Sequence, residues 1–106
     1  MDRKEALKWM SKGFDLAEQF PERRGFGYVE TYHKDGCHVC LSGYAAIASF
    51  EGRPFTVTKL VERAISIDNA LWRVPSRVNN SHAFYGKDTP ESIREMRVAY
   101  VREVRP

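Results

Sequence analysis

The sequence lacks the features that define several large classes of protein. Its 106 residues include only two cysteines, too few for a disulfide framework. No apolar run approaches the length that spans a membrane, and no repeat or low-complexity tract occurs. Neither a glycine-rich phosphate loop nor a metalloprotease helix motif is present. We therefore expect a soluble protein with one globular domain, residues 1–106, and no membrane partner.

The first ten residues, MDRKEALKWM, are charged and amphipathic. They contain neither the apolar run nor the small-residue cleavage site of a secretory signal. We therefore expect a cytoplasmic protein whose thiols are reduced.

The net charge of +3 is modest, and the basic excess lies in one segment. Residues 53–77 carry five basic and two acidic side chains, a balance of +3. Such a segment can attract phosphate groups or acidic proteins, and an ordinary solvated surface carries the same charge.

Helical periodicity accounts for most of the chain. Apolar residues recur at spacings of three and four from Arg3 to Phe20, where Pro21 ends the predicted helix. A second helix, rich in small residues and therefore expected to be central and buried, begins near Cys40. A third has Thr56 as its cap. Its apolar stripe consists of Val57, Leu60, Val61, Ala64 and Ile65.

Two further helices are predicted nearer the carboxyl end. Asp68 is expected to cap a short helix that runs through Val74 and ends at Pro75. Thr89 is the expected cap of the last helix, with Pro90 at its first position.

Between the first and second helices the pattern changes to one that is typical of strands. Tyr28, Val29, Thr31 and Tyr32 favour extended structure, and Asp35-Gly36 suits a two-residue turn. The predicted fold class is mostly α (α+β), a compact domain of four to five helices with a small β-hairpin.

The order of these elements resembles an uncharacterised family of small bacteriophage and actinobacterial proteins, a domain of unknown function. The resemblance depends on an amphipathic helix, an acidic-Gly turn, the motif CLSGYAAIA, a loop with asparagines and a Thr-Pro-Glu helix start. Gly25-Phe26 stands where the family has Gly-Trp, and Val78-Asn79-Asn80 stands where it has Trp-Asn-Asp. The resemblance implies a phage or phage-like origin and no established activity.

Cysteines and histidines raise three chemical hypotheses. A zinc site would use the four residues His33, Cys37, Cys40 and His82. Only half of a zinc signature is present, because His82 stands alone in its loop. The motif CHVC would suit a redox dithiol, but no βαβ pattern surrounds it. Cys40 with His82 as base and Asn79 or Asn80 as the orienting residue would form a Cys-His-Asn arrangement. The alternative is a hairpin followed by a buried Cys40.

Nucleic-acid binding is a further hypothesis. Residues 55–77 read as two helices separated by Ser66-Ile67-Asp68, similar to a helix-turn-helix. Its candidate contact residues are Arg63, Trp72, Arg73 and Arg77. Pro75 would break the second helix where a recognition helix should present its side chains. The alternative is that Trp72 is core and the arginines are solvated.

The hypothesis that we favour from the sequence is a non-catalytic accessory protein. Aromatic side chains beside arginines are enriched at protein interfaces. The candidate interface residues are Arg23, Arg24, Phe26, Phe84 and Tyr85. We expect them to bind a host protein or a second copy in a homodimer, without enzymatic activity and without a cofactor.

Overall fold

Local sequence signals determine where most of the helices begin and end. The structure, a computed structural model, describes residues 1–30 and 38–105. The helices in these residues are α1 (Arg3–Gln19), α2 (Leu41–Ser49), α3 (Val57–Ala70), α4 (Val74–Asn79) and α5 (Pro90–Val104). Short 3₁₀ turns, Pro21–Arg23 and His82–Phe84, lie in the connections. The mostly helical fold class is confirmed.

Side-chain caps open α3 and α5 as predicted. Thr56 accepts a hydrogen bond from the backbone N–H of Lys59 at 3.1 Å. Thr89 and Ser92 form a capping box at the start of α5, with Pro90 at its first position. A cap of this kind contributes about 1 kcal/mol to helix stability.

The connection between α3 and α4 differs from the prediction. Asp68 does not cap a short helix but lies in the last turn of α3, fully buried. Its carboxylate accepts hydrogen bonds from the backbone N–H and the hydroxyl of Ser76. The chain therefore turns after α3 and begins α4 at Val74, with Pro75 in the first turn rather than after the end.

The predicted apolar stripe of α3 is partly wrong. Leu60 and Ala64 are buried, but Val57 and Ile65 are exposed, and Ile67 is buried instead. The reason is that α3 packs against α1 and α2 along the side that carries Leu60, Ala64 and Ile67. The exposed valine lies in the first turn of α3, where it is left at the surface.

Helix α2 is the centre of the molecule, as its small residues predict. It packs against α1, α3 and α4, and its residues from Leu41 to Ala46 are all buried. A methyl group on Gly13 of α1 would lie 2.6 Å from the Cα and N atoms of Ala45. Only glycine therefore allows α1 to cross α2 so closely. One core includes residues from all five helices, among them Phe14, Tyr44, Ile67, Val78 and Met96.

The predicted β-hairpin is not supported. Residues 1–30 and 38–105 contain no strand, only two isolated bridges. In the antiparallel one, Glu30 and His38 exchange backbone hydrogen bonds of 2.7 and 2.9 Å. On the described side of this bridge no ladder follows, because residues 23–27 bond to residues 39–40 instead. The predicted turn at Asp35-Gly36 lies outside the described residues.

None of the helices in the described part of the chain is both long enough and apolar enough to cross a bilayer.

Candidate functional site

The start of α2 brings together two of the three proposed catalytic residues, Cys40 and Asn79. Cys40 precedes α2 and is buried, as expected, with its Sγ 3.1 Å from the hydroxyl oxygen of Ser42. Asn79 accepts a hydrogen bond from the N–H of Leu41 at 3.1 Å. Its amide donates to the carbonyl of Gly25 at 2.8 Å. Asn79 therefore satisfies the backbone groups of Leu41 and Gly25 rather than orienting a catalytic base.

His82 does not complete the proposed Cys-His-Asn arrangement. It is exposed in its 3₁₀ turn, and its ring centroid lies 4.6 Å from that of Tyr85. Within the described residues, no hydrogen bond joins His82 to Cys40 or Asn79. The described residues therefore do not form the proposed Cys-His-Asn arrangement.

The Cys40 thiol is expected to resist alkylation in the folded protein. Burial raises its pKa, so at neutral pH it is protonated and unreactive. In a Cys37→Ser background, iodoacetamide should modify native Cys40 at least about tenfold more slowly than the same residue in urea. The rate should rise only at pH above the ordinary range of a cysteine. Equal rates in the two states would restore the nucleophile hypothesis.

The proposed zinc ligands are only partly within the described structure. His33 and Cys37 lie outside it. Among residues 1–30 and 38–105, no three histidine, cysteine or acidic side chains are grouped as a metal site would require. Cys40 is buried beside Ser42 and His82 is exposed, so these two residues are in different surroundings. The four-ligand zinc site stays a prediction.

Arg24 is not an exposed interface residue, contrary to the sequence-based hypothesis. It is only 6% exposed, and its guanidinium donates to three acceptors. Nε donates to Asp88 at 2.8 Å, Nη1 to the carbonyl of Asn79 at 2.7 Å, and Nη2 to the carbonyl of Phe84 at 2.7 Å. Arg24 therefore holds the segment before α2 against the loop between α4 and α5.

The aromatic interface candidates do come together above this arginine. Phe26 and Tyr85 are exposed, and their rings meet edge to face with centroids 5.2 Å apart. The guanidinium carbon of Arg24 lies 6.0 Å from the centroid of Phe26. Phe84 is only partly buried and packs on the core. Phe26 and Tyr85 thus form a small exposed pair of rings.

A larger apolar surface, which the sequence did not predict, is a groove between α1, α2 and α3. Its volume is about 420 Å³. The residues that line it are Leu16, Phe20, Arg23, Val39, Tyr44, Ile47, Phe55, Val57 and Leu60. Three of them stand half-exposed: Val57 at 50%, Phe20 at 47% and Phe55 at 40%. The sequence did carry a signal for this groove. Phe20 and Phe55 are large apolar residues that adjoin helix ends rather than lie within helices.

Contacts within the protein hold the residues of this groove in place. The hydroxyl of Tyr44 donates to the backbone carbonyl of Phe20 at 2.5 Å, and burial is the main cause that raises the pKa of Tyr44. The phenol therefore stays a hydrogen-bond donor throughout the physiological range. Phe55 is held by stacking on Phe50, with centroids 4.7 Å apart. The groove is thus pre-formed rather than dependent on a loop that must close.

The nucleic-acid candidates are divided between two places. Trp72, Arg73 and Arg77 lie together at the turn from α3 to α4, and all three are exposed. Arg63 lies apart from them, because its guanidinium donates to the hydroxyl of Ser49 at 2.9 Å and covers the ring of Phe50. The prediction that Trp72 belongs to the core is wrong.

Comparison with known proteins adds nothing to the functional argument, which depends on the residues alone. The resemblance to small phage proteins stays a prediction. No protein-family model, no curated protein and no solved structure matches this chain.

Proposed function

We propose that this protein is a non-catalytic binding protein whose groove takes an apolar segment of a partner protein that also carries an acidic residue. The observation that carries the proposal is the groove of about 420 Å³ with half-exposed Phe20, Phe55 and Val57 at its rim. We retain from the sequence the expectation of a phage or bacterial accessory protein that meets a host partner in the cytoplasm.

The apolar lining supports a partner with large apolar side chains. Complete burial of a Phe or Val side chain stabilises a complex by roughly 1.5 to 3 kcal/mol, so the half-exposed rim residues would contribute about 1 kcal/mol each. A few side chains that become fully buried near the centre of a contact supply most of the binding free energy.

Charge supports an acidic segment. Arg23 is the one charged residue in the lining, and it makes no ion pair with any acidic side chain in the described residues. A carboxylate at the end of an apolar segment would meet it at the rim. Complementary charge at a rim gives specificity and faster association more than affinity.

The same charge argues against a second copy of this chain as the occupant. The exposed valines of α5, Val98 and Val101, line a cleft with Arg94, Arg102 and Arg105. Placing that face on the groove would bring its arginines towards Arg23. We therefore favour a different protein over the homodimer.

Selection from a displayed random peptide library tests the proposal. The enriched peptides should combine large apolar residues with an Asp or Glu. Val57→Asp should weaken them at least about tenfold, because it places a charge in the apolar rim. This change suits the first turn of α3, where an acidic residue is favourable, so the fold should survive.

The matched control is Val98→Asp, which changes an equally exposed valine on α5 and should leave peptide affinity unchanged. Arg23→Glu should weaken the acidic peptides, and replacing their acidic residue by lysine should restore binding. Peptides that bind wild type and Val57→Asp equally would overturn the proposal. A dimer in sedimentation that Val57→Asp dissociates would assign the groove to a second copy instead.

A further inference from the structure

Trp72 is displayed at the surface to an unusual degree. It is 82% exposed, more than any other large apolar side chain among the described residues. Its backbone is left-handed, with φ of 54°, and so is that of Arg73, with φ of 62°. For residues other than glycine this conformation costs roughly 1 to 2 kcal/mol each. Two such residues in succession indicate that the turn is held against its local preference.

The residue that holds the turn is Asp68. Its backbone carbonyl accepts hydrogen bonds from the N–H groups of Leu71 at 3.2 Å and Arg73 at 2.7 Å. Its buried carboxylate accepts from both the N–H and the hydroxyl of Ser76, and from the hydroxyl of Tyr28 at 2.9 Å. The turn is therefore fixed to the core on both sides of Trp72, and the indole is presented by a rigid support.

Four arginines lie near Trp72. Arg73 and Arg77 follow it in sequence, and Nη1 of Arg77 donates to the backbone carbonyl of Trp72 at 2.8 Å. Beside Trp72 lies a cleft of about 210 Å³ that Arg3 and Arg105 also line. We define the Trp72 surface as Trp72 with these four arginines.

Acidic side chains offset only part of this charge. Glu103 lines the same cleft and lies 3.9 Å from Arg77, and buried Asp68 lies 3.6 Å from Arg73. No ion pair is formed by Arg3 or Arg105 within the described residues.

The basic character continues along α5. Arg105 also lines a second cleft, about 490 Å³ in volume, together with Arg94, Arg97 and Arg102. Arg94 and Arg97 are paired with Glu18 and Asp15, so Arg102 and Arg105 are the cations of this cleft that are left for a ligand. A positive track thus leads away from Trp72.

An exposed, rigid aromatic ring beside a track of arginines matches the chemistry of a single nucleic-acid strand. An unpaired base stacks on an aromatic face, and guanidinium groups pair with the phosphates. Duplex recognition by a helix is a poor alternative, because α4 has only six residues with Pro75 in its first turn. The helix-turn-helix suggested by the sequence is therefore not the geometry that this surface offers.

We propose that the Trp72 surface binds single-stranded nucleic acid, with an unpaired base stacked on Trp72 and the adjacent phosphates on Arg3, Arg73, Arg77 and Arg105. This site is separate from the groove, so each proposal can fail without the other.

Fluorescence anisotropy with labelled oligo(dT) and oligo(rU), about 12 nucleotides long, tests the site, since one small domain covers a length of this order. Trp72→Ala should weaken binding about tenfold, and Trp72→Phe, which keeps an aromatic face, should weaken it less. Arg105→Ala should lower the slope of log affinity against log salt by about 0.7, the value for one phosphate of a single strand. Arg23→Ala, an arginine in the groove, is the matched control and should change neither quantity.

Three results would overturn the proposal. The first is equal affinity of wild type and Trp72→Ala for the oligonucleotides. The second is a duplex of the same length that binds as tightly as the single strand. The third is polyglutamate that competes as well as unlabelled oligonucleotide, which would assign the surface to an acidic protein. Because Trp72 and Arg105 are exposed, their replacement should leave the thermal unfolding midpoint nearly unchanged.

Discussion

Replacing Arg24 by methionine is expected to lower the free energy of unfolding by about 3 kcal/mol, the largest loss that we expect from any single substitution considered. The methionine side chain fills much of the same space but donates no hydrogen bond. The carbonyls of Asn79 and Phe84 and the carboxylate of Asp88 would each lose a charged donor. Removing one partner of a buried ionic network costs about 3 to 5 kcal/mol. Asp88 is partly exposed, so water reduces the loss towards the lower value.

Urea unfolding followed by circular dichroism measures this effect, and the neighbouring residue supplies the control. Arg23→Met changes the same side chain one position away, where it is partly exposed at the rim of the groove. We expect that substitution to change stability by less than about 0.5 kcal/mol. Equal losses for the two variants would show that the three hydrogen bonds of Arg24 contribute nothing specific.

Gly13→Ala is expected to destabilise the protein by about 2 to 3 kcal/mol, although alanine is the better helix former. On helix propensity alone, the change should stabilise α1 by roughly 1 kcal/mol. The new methyl group would lie 2.6 Å from backbone atoms of Ala45, which cannot rotate away as a side chain would. Helices α1 and α2 must therefore separate, and overpacking of this kind costs about 1 to 3 kcal/mol or more.

The sign of the change in unfolding free energy shows whether helix propensity or overpacking dominates. Lys12→Ala, at the adjacent exposed position of α1, should be nearly neutral in the same urea titration. A gain of stability for Gly13→Ala would mean that α1 and α2 do not cross as closely as described. Compensating substitutions at Ala45 cannot rescue the variant, because the contact is with the backbone.

Signals that act over a few residues were readable from the sequence. Thr56 and Thr89 cap their helices through backbone groups three residues away, so residue type and spacing were sufficient. The small residues of α2 likewise predicted its central position. Even here the pattern was incomplete, because Val57 fits the helical period of α3 and yet lies at the surface.

Residues whose role depends on distant partners were misread. Asp68 has the residue type of a helix cap, but its carboxylate accepts from Tyr28, 40 residues earlier in the chain. Arg24 reads as a surface cation, and its three acceptors lie beyond residue 78. The groove joins residues from α1, α2, α3 and the loops between them. Only the packing of the helices brings such residues together.

The burial of Arg24 also bears on the order of events in folding. Its acceptors lie 55, 60 and 64 residues away along the chain, so its hydrogen bonds form only after a long loop has closed. Closing that loop costs conformational entropy before any contact compensates for it. Helices α1, α2 and α3 can pair through nearer contacts first. We therefore expect the guanidinium to leave water late in folding, when its acceptors are already in place, so that the chain avoids the cost of a buried cation without partners.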